Sequence, residues 1–450
     1  MDSAAWQARD LAVLWHPCTQ MREHLEGTPL IAVRRGEGVW LEDYDGRRYL
    51  DAISSWWTNL FGHAEPRIAA AIAEQARQLE QVILAGCTHA PAVQLAERLL
   101  ERAPAGLSKV FYADNGSAAV EVALKMSYHA HVHAGQPERS LFLALSNSYH
   151  GETLGALAVT DIPLYRRTYA PLMMQPRFVP SPDAFLREAG ETWEDCARRA
   201  ARGLAAALEQ VGERVAALIV EPLVQCAGGM RMHHPAYLAE ARRLCDAFGV
   251  HLIADEIAVG FGRTGTFLAC EQAGIRPDFL CLSKGITGGF LPLAAVLTSE
   301  TIYQRFLDEA RERAFLHSHS YTGNPLACAA ALASLAIFDA DRVLERNRER
   351  AALLGEAAAP LADLPGVAEV RQCGMIVAIE LARPDRGPHP PEQRRGRTAA
   401  RYAVEHGVLL RPLGDVLYWM PPYCIRAEEI ARLGEVTRLA ILHAAEVAGA

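Results

Sequence analysis

Short apolar segments alternate with amphipathic helical patterns through the middle of this 450-residue chain, and this alternation limits its possible folds more than any other feature. Four of the segments have almost no polar residue before their last position: residues 141–145, 215–221, 251–255 and 279–283. Strands that are buried on both faces are typical of parallel sheets covered by helices on both sides. The pattern therefore predicts an α/β protein with a mainly parallel sheet.

The pattern changes along the chain and predicts how it divides into domains. Residues 1–65 mix turn signals with short extended runs, including a hairpin that we expect to turn at Asp45-Gly46. Residues 66–340 carry the alternation of helix and strand, and mixed elements resume over 341–450. We predict a large domain at 66–340 and a smaller α+β domain at 341–450, with residues 1–65 forming part of the smaller domain and one wall of the active site.

Composition narrows the class of protein. The chain is 50% hydrophobic and 22% charged, which is typical of a soluble globular protein. Its net charge of −8 gives no reason to expect nucleic acid or an anionic membrane as partner. The longest apolar stretch, residues 326–340, is too short to span a bilayer. Ten cysteines without CxxC or metal-ligand spacing fit reduced thiols, so we expect a cytoplasmic enzyme that holds no metal.

Lysine is rare in this chain: only Lys109, Lys125 and Lys284 occur among the 45 basic residues. Arginine keeps its proton, whereas a desolvated lysine can lose it and form an imine with a carbonyl group. Lys284 follows the apolar segment 279–283 and precedes a run of glycines, which predicts a lysine placed in a turn by a buried strand. The alternative is an ordinary strand-end lysine whose ammonium group extends into solvent.

A carboxylate ends another of the apolar segments. Asp255 closes the segment 251–255, and the carboxyl ends of parallel strands are where α/β sheets bind ligands. Its separation of 29 residues from Lys284 allows one crossover and the next strand. Pyridoxal phosphate needs such a pair, because the carboxylate keeps the pyridine nitrogen protonated while the lysine holds the aldehyde. Alternatively, Asp255 caps the next segment or pairs with Arg263.

Two further features suit the same cofactor. Gly116 and Ser117 follow a predicted strand and open a predicted helix, where backbone amides and a hydroxyl can bind phosphate. A serine there is also a common helix cap. Tyr149 follows the segment 141–145 and offers an aromatic face on which a flat ring can stack, although core packing is the alternative. Taken together with Asp255 and Lys284, these residues predict one cofactor site.

The chain resembles the class III, or ω, aminotransferases of fold type I in three segments: DEIAVGFGRTG at 255–265, SKG at 283–285 and GNPL at 323–326. The resemblance extends over nearly the whole chain. It implies that Lys284 holds pyridoxal phosphate covalently and that Asp255 binds the pyridine nitrogen. It also implies a large domain with a mainly parallel sheet and a smaller α+β domain.

The same resemblance assigns the remaining cofactor contacts. It implies that Gly116 and Ser117 bind the phosphate and that Tyr149 stacks on the ring and contacts substrate. It further implies that His319 and Ser320 contact the cofactor, with the Ser320 hydroxyl reaching the phosphate bound by the neighbouring subunit. We therefore expect a homodimer with shared active sites.

Other segments narrow the resemblance within the class. They are LWHP at 14–17, SSWW at 54–57 and RPLG at 411–414, and they resemble the members that convert 7-keto-8-aminopelargonate to 7,8-diaminopelargonate in biotin synthesis, with S-adenosylmethionine as amino donor. That acceptor is a long apolar chain with one carboxylate. The resemblance implies that Trp56 and Trp57 line its apolar path and that Arg411 clamps the carboxylate.

Two positions depart from this pattern. Cys18 stands where many members have a tyrosine that helps to recognise substrate, and the segment 318–320 reads Ser-His-Ser where some have Gly-Pro-Thr. We include Cys18 and Ser318 among the predicted substrate residues. Both changes bear on the amino donor, and lysine in place of S-adenosylmethionine remains an alternative.

The sequence predicts a two-step aminotransferase with ping-pong kinetics, in which Lys284 moves the proton and Asp255 stabilises the developing charge. One alternative is another class III enzyme that acts on ornithine, 4-aminobutyrate or β-alanine, which would be expected to lack the segments at 14–17 and 54–57. An alternative from another class is a phosphate- or nucleotide-binding α/β protein, in which Lys284 contacts phosphate without covalent chemistry.

Overall fold

The computed structural model describes residues 1–26, 28–383 and 385–449. Two compact units make up the chain: Arg67–Arg346 is one, and Met1–Pro66 with Asn347–Ala450 is the other. The domain limits predicted at 65/66 and 340/341 stay predictions. Within the described residues, no helix combines the length and the apolar character needed to cross a bilayer.

The unit Arg67–Arg346 is built on a seven-stranded sheet. In order across the sheet its strands are Leu107–Ala113, Ala294–Ser299, Phe279–Leu282, His251–Asp255, Val215–Val220, Leu141–Leu145 and Arg177–Val179. Neighbouring strands run parallel, except that Ala294–Ser299 is antiparallel to both strands beside it. The predicted α/β class with a mainly parallel sheet is therefore confirmed.

Burial explains why these segments form strands rather than surface loops. Every residue of Val215–Val220, His251–Asp255 and Phe279–Leu282 is buried, as expected for central strands covered on both faces. The α-helices that begin before or within this unit are Pro66–Ala76, Ala90–Leu100, Gly116–His133, Leu154–Ala158, Pro163–Arg166, Trp193–Val211, Ala236–Phe248, Glu300–Gln304, Pro325–Ala340 and Val343–Ala358. A short antiparallel pair, Val224–Gln225 with Arg231–Met232, completes the strands.

The second unit is α+β and draws on both ends of the chain, as predicted. One sheet contains, in order, Val33–Glu37, Trp40–Asp43, Arg48–Asp51 and Val408–Leu409, and the other contains Val367–Cys373, Ile376–Leu381 and Val416–Trp419. The helices are Ser3–Val13, Arg22–Leu25, the turn Ser54–Trp57, Arg395–Glu405 and Ala427–Gly449. The predicted hairpin at Asp45-Gly46 is confirmed, with Gly46 at φ +82°.

Candidate active site

The sheet places the predicted carboxylate and lysine at the same edge. The strands His251–Asp255 and Phe279–Leu282 are parallel neighbours, and Asp255 lies opposite Cys281. Lys284 comes two residues after the end of its strand, and Asp255 is the last residue of its own. Both residues therefore lie at the carboxyl edge of the sheet, where α/β folds bind ligands.

Lys284 has a strained backbone and a shifted pKa. Its φ is +47°, which costs a residue other than glycine about 1–2 kcal/mol, and such strain collects at functional sites. Burial lowers the pKa of its amine, although Asp255 and Glu221 lie near enough to raise it in part. A lowered pKa makes the neutral amine more available, as a nucleophile or proton acceptor requires.

His150 fixes the orientation of the Asp255 carboxylate. Its Nδ1 lies 2.7 Å from Asp255 Oδ2, and both side chains are buried. The other carboxylate oxygen accepts the Ile257 N–H at 3.2 Å. His150 Nε2 is buried and has no hydrogen-bond partner among the described residues. Sequence reasoning assigned His150 no role, and its position directly after Tyr149 was the available signal.

Glu221 holds the backbone that carries Tyr149. The buried carboxylate accepts the N–H of Tyr149 at 2.9 Å and that of Cys226 at 3.0 Å. Burial raises the pKa of Glu221 to about 7, an effect that His150 partly opposes. The Tyr149 phenol donates to Glu152 at 2.8 Å. Stacking of Tyr149 on a cofactor stays a prediction.

Gly151 allows this segment to approach Ser117. Its φ is +128°, and a Cβ added there would lie 2.1 Å from Ser117 Oγ. Ser117 Oγ accepts the Glu152 N–H at 3.1 Å and lies in the first turn of the helix Gly116–His133. At Gly116 an added Cβ would lie 3.0 Å from Ile257 Cγ2, so packing alone also favours glycine at that position.

These residues fit pyridoxal phosphate. Asp255 offers an oriented carboxylate of the kind a pyridine nitrogen requires, Lys284 an amine of lowered pKa, and Ser117 a hydroxyl at the start of an 18-residue helix.

The segment that contains His319 is tied to one of the three lysines. Lys125 Nζ lies 2.8 Å from His317 Nδ1, and His317 Nε2 lies 3.1 Å from His319 Nε2. His319 Nδ1 is in turn 3.5 Å from an Asp114 carboxylate oxygen. Burial, with Lys125 and His319 as further causes, lowers the pKa of His317.

Ser318 and Ser320 are both exposed. Gln81 Nε2 donates to the backbone carbonyl of Ser320 at 2.8 Å, so this hydrogen bond does not involve the Ser320 hydroxyl. The predicted cofactor contacts of His319 and Ser320, and the substrate contact of Ser318, stay predictions.

The structure brings three of the predicted substrate residues together in the α+β unit. The Arg411 guanidinium carbon lies 4.2 Å from the centre of the Trp56 ring, within cation–π range. Arg411 Nη2 donates to the Cys18 carbonyl at 3.5 Å. Trp56 is 38% exposed, whereas Trp57 is 3% exposed and donates its indole N–H to Tyr418 Oη at 3.0 Å. The packing of Trp57 is that of a core residue, and its substrate role stays a prediction.

The Ser54–Trp57 segment forms a left-handed helical turn. Its four φ angles are +49°, +44°, +75° and +69°, although none of the four residues is glycine. The Trp57 N–H donates to the Ile53 carbonyl at 2.9 Å, and the Thr58 N–H donates to the Ser54 carbonyl at 3.0 Å. Left-handed backbone costs about 1–2 kcal/mol per residue, so other contacts must stabilise the turn.

Asp51 supplies many of those contacts. It is fully buried, and Oδ1 accepts the N–H groups of Ile53 at 3.2 Å and Ser55 at 3.1 Å. Its Oδ2 accepts the Ser55 hydroxyl at 2.8 Å and lies 2.9 Å from His63 Nε2. The Ser54 hydroxyl donates to the Met420 carbonyl at 2.7 Å. Sequence reasoning gave Asp51 no role.

The fold and the residues at the carboxyl edge of the sheet suit a pyridoxal-phosphate aminotransferase. The family model described as aminotransferase class-III matches residues 22–441, and the chain belongs to this family. The predicted fold type I, the cofactor and the reaction class are therefore confirmed.

Relatives within the family are similar over nearly their whole length. The chain is 46% identical to the adenosylmethionine-8-amino-7-oxononanoate aminotransferase of Geobacter sulfurreducens, with 94% of each chain covered. It is 44% identical to the protein of that name from Helicobacter pylori, with 94% and 95% covered.

Solved structures show the same similarity. The Methanocaldococcus jannaschii enzyme of that name has a TM-score of 0.92 at 37% identity, with 98% of this chain and 99% of that chain covered. An omega transaminase from Pseudomonas jessenii in complex with PMP has a TM-score of 0.93 at 31% identity, again with 98% of this chain and 99% of that chain covered.

Proposed function

We propose that this enzyme transfers an amino group from S-adenosylmethionine to 7-keto-8-aminopelargonate (8-amino-7-oxononanoate), which yields 7,8-diaminopelargonate in biotin synthesis. The names and high coverage of the relatives support the two substrates. The observation that carries the chemistry is the placement of Asp255 and Lys284 at one edge of the sheet, at the ends of parallel neighbouring strands. No observation favours ornithine, 4-aminobutyrate or β-alanine as substrate.

Lys284 carries the proton in each half of the reaction. The cofactor, when bound, draws electrons from the substrate carbon that bears the amine and so acidifies its proton. Lys284 Nζ holds the cofactor between turnovers. When a substrate amine displaces it, Nζ would serve as the base that accepts the proton from that carbon and as the acid that gives it back. The lowered pKa of Lys284 favours the neutral amine that this transfer needs.

The neighbouring residues bind and orient. Asp255, oriented by His150, would keep the pyridine nitrogen protonated, and Ser117 and Gly116 would bind the phosphate at the helix start. Tyr149 packs on the ring, with its backbone fixed by Glu221.

The acceptor is recognised by groups of the α+β unit. Its carboxylate binds the Arg411 guanidinium, which Trp56 and the Cys18 carbonyl already hold in place. The exposed Trp56 offers apolar surface to the hydrocarbon chain, with Trp57 as a further contact. Ser318, of the unit Arg67–Arg346, is a further proposed substrate residue. Because Cys18 stands where many members have a tyrosine, this position offers the substrate no aromatic face and no phenol.

We also propose a cytoplasmic homodimer in which the Ser320 hydroxyl reaches the phosphate bound by the partner subunit, with His319 as a further cofactor contact. Two large side chains flank this segment in exposed positions, Leu316 at 67% and Tyr321 at 62%, which favours an interface there. The ten cysteines, none in CxxC spacing, suit reduced thiols and a reducing compartment.

Separated half-reactions test the substrates. S-adenosylmethionine alone should bleach the yellow absorbance of the purified holoenzyme, and 7-keto-8-aminopelargonate should restore it. Bleaching by lysine alone would keep the acceptor and replace the donor. A stable yellow enzyme with both amines would reject the proposed donor, and failure of the acceptor to restore the colour would reject the acceptor. Ornithine, 4-aminobutyrate and β-alanine serve as controls.

A further inference from the structure

The left-handed turn Ser54–Trp57 presents Trp56 to Arg411, and its backbone conformation is unfavourable in isolation. Asp51 accepts three hydrogen bonds at this turn: two from the backbone N–H groups of Ile53 and Ser55, and one from the Ser55 hydroxyl. Because strained backbone persists only where its surroundings determine it, such strain often marks a functional constraint.

We propose that Asp51 is a positioning residue for the amino acceptor. It holds the turn left-handed, and the turn keeps the Trp56 ring against the guanidinium of Arg411. The guanidinium is then already oriented when the carboxylate of the acceptor arrives, so less side-chain freedom is lost on binding. This inference rests on the proposed function, which supplies a substrate with a carboxylate at the end of an apolar chain.

The contacts around Asp51 explain why one carboxylate has this effect. Its Oδ1 fixes the backbone on both sides of Ser54, and its Oδ2 is itself oriented by His63. Without the carboxylate, the Ser55 N–H and hydroxyl lose these partners, and the backbone can relax toward right-handed φ. Since a change of φ redirects the Cα–Cβ bonds nearby, the Trp56 ring would leave Arg411.

Steady-state kinetics of Asp51→Ala give the first test. We expect the KM for 7-keto-8-aminopelargonate to rise about tenfold or more while kcat changes less than about threefold, as for a lost binding contact. Asp43→Ala is the matched control. Asp43 is a buried carboxylate of the same unit that accepts the N–H groups of Asp45 and Arg47 and the Tyr49 hydroxyl, so its loss perturbs folding similarly. Equal effects of the two variants would overturn the proposal.

Two substitutions at Ser55 separate backbone conformation from the loss of a hydroxyl. Ser55 is exposed, so both Ser55→Ala and Ser55→Gly should fold. Each removes the hydroxyl bond to Asp51, but glycine adopts positive φ without a steric cost. We expect the acceptor KM of Ser55→Gly to stay about threefold or more below that of Ser55→Ala. A KM for Ser55→Gly equal to or above that of Ser55→Ala would contradict the role of the left-handed turn.

Binding of nonanoate to the holoenzyme, measured by calorimetry, gives a readout without turnover. We expect Asp51→Ala to weaken nonanoate binding about tenfold and to leave the binding of nonan-1-ol, which has no carboxylate, unaffected. Wild-type enzyme that binds nonanoate but does not aminate 7-keto-8-aminopelargonate would reject the proposed function and leave the Asp51 role standing. Normal acceptor kinetics and normal nonanoate binding in Asp51→Ala would overturn the Asp51 role alone. If the wild-type enzyme neither binds nonanoate nor aminates 7-keto-8-aminopelargonate, both the proposed function and the role of Asp51 are wrong.

Discussion

His150 Nδ1 lies 2.7 Å from Asp255 Oδ2, so a buried imidazole sets the direction of the carboxylate at the end of the central strand. The backbone N–H of His150 donates to Thr160 Oγ1 at 2.9 Å, which fixes the histidine in turn. The geometry of Asp255 therefore depends on a residue that the sequence places 105 positions away.

Replacement of His150 should impair catalysis without removing any proposed cofactor contact. We expect His150→Ala to lower kcat by about 10–100-fold, because a misoriented carboxylate stabilises the developing charge less well. His150→Asn should recover much of the rate, since its amide places a donor near the position of Nδ1. Stopped-flow rates of the donor half-reaction measure this effect. Unchanged rates in His150→Ala would contradict the positioning role.

Substitution of Gly151 should damage the cofactor site through a steric clash. A Cβ at Gly151 would lie 2.1 Å from Ser117 Oγ, so Gly151→Ala must displace the proposed phosphate residue. We expect the dissociation constant of pyridoxal phosphate to rise at least about tenfold, as for one lost charge-assisted hydrogen bond.

Gly135→Ala is the matched control for Gly151→Ala. Gly135 also has positive φ, +77°, but an added Cβ there meets no atom within 4 Å. The control should lose about 1 kcal/mol of stability and keep its cofactor affinity. If both variants bind the cofactor as the wild type does, Ser117 does not hold the phosphate.

Glu256 should make the stability of the protein depend on pH. It is fully buried and accepts the Ala269 and Cys270 N–H groups at 2.6 and 2.8 Å, and burial raises its pKa from 4.5 to about 7. Between these values the folded protein keeps a proton that the unfolded chain has lost. The free energy of unfolding therefore falls as pH rises from about 4.5 through 7, by about 2–3 kcal/mol from this group.

Glu256→Gln removes this titration. Urea unfolding of the holoenzyme at pH 5 and pH 8 measures the effect, and the decrease between the two pH values should be about 2–3 kcal/mol smaller in the variant. Glu221, whose pKa is raised in the same direction, is present in both proteins and cancels in the comparison. An identical pH dependence in both proteins would mean that Glu256 is ionised when folded.

Arg411 should act on the acceptor through geometry as well as charge. We expect Arg411→Ala to raise the KM for 7-keto-8-aminopelargonate about 10–100-fold, because hydrogen bonds to a charged group contribute about 1.5–3 kcal/mol. Arg411→Lys keeps the charge but loses the planar fork that lies on Trp56, so it should recover only part of this loss. Full recovery by lysine would show that charge alone suffices.

The sequence predicted those parts of the fold that depend on local pattern. The strands Leu141–Leu145 and His251–Asp255 match their predicted limits, because each is an apolar run bounded by turn residues. An amphipathic pattern runs over residues 67–81, but the helix in this part of the chain is Pro66–Ala76. The strand Ala294–Ser299 was not predicted. It follows a glycine-rich turn and runs antiparallel to Phe279–Leu282, so it does not belong to the alternation of strand and helix from which the other strands were predicted.

In the candidate site, too, the sequence pattern predicted some residues and missed others. Positions at strand ends identified Asp255 and Lys284, because the end of a buried strand is visible in the sequence. The left-handed turn was not visible, since contacts with distant residues determine it: Ser54 bonds Met420 and Trp57 bonds Tyr418, both more than 360 positions along the chain. Asp51 and His150 likewise depend on side-chain directions that residue spacing does not encode.

The central claim is that Lys284 holds the cofactor, and the scarcity of lysine makes it directly testable. Lys109 pairs with Glu300 at 3.2 Å and Lys125 contacts His317, so each has a contact elsewhere. The measurement is borohydride reduction of the holoenzyme, followed by digestion and mass spectrometry. We predict a reduced pyridoxyl group on the peptide that contains Lys284, and none in Lys284→Ala. Attachment to Lys109 or Lys125, or no attachment in the active wild-type enzyme, would contradict it.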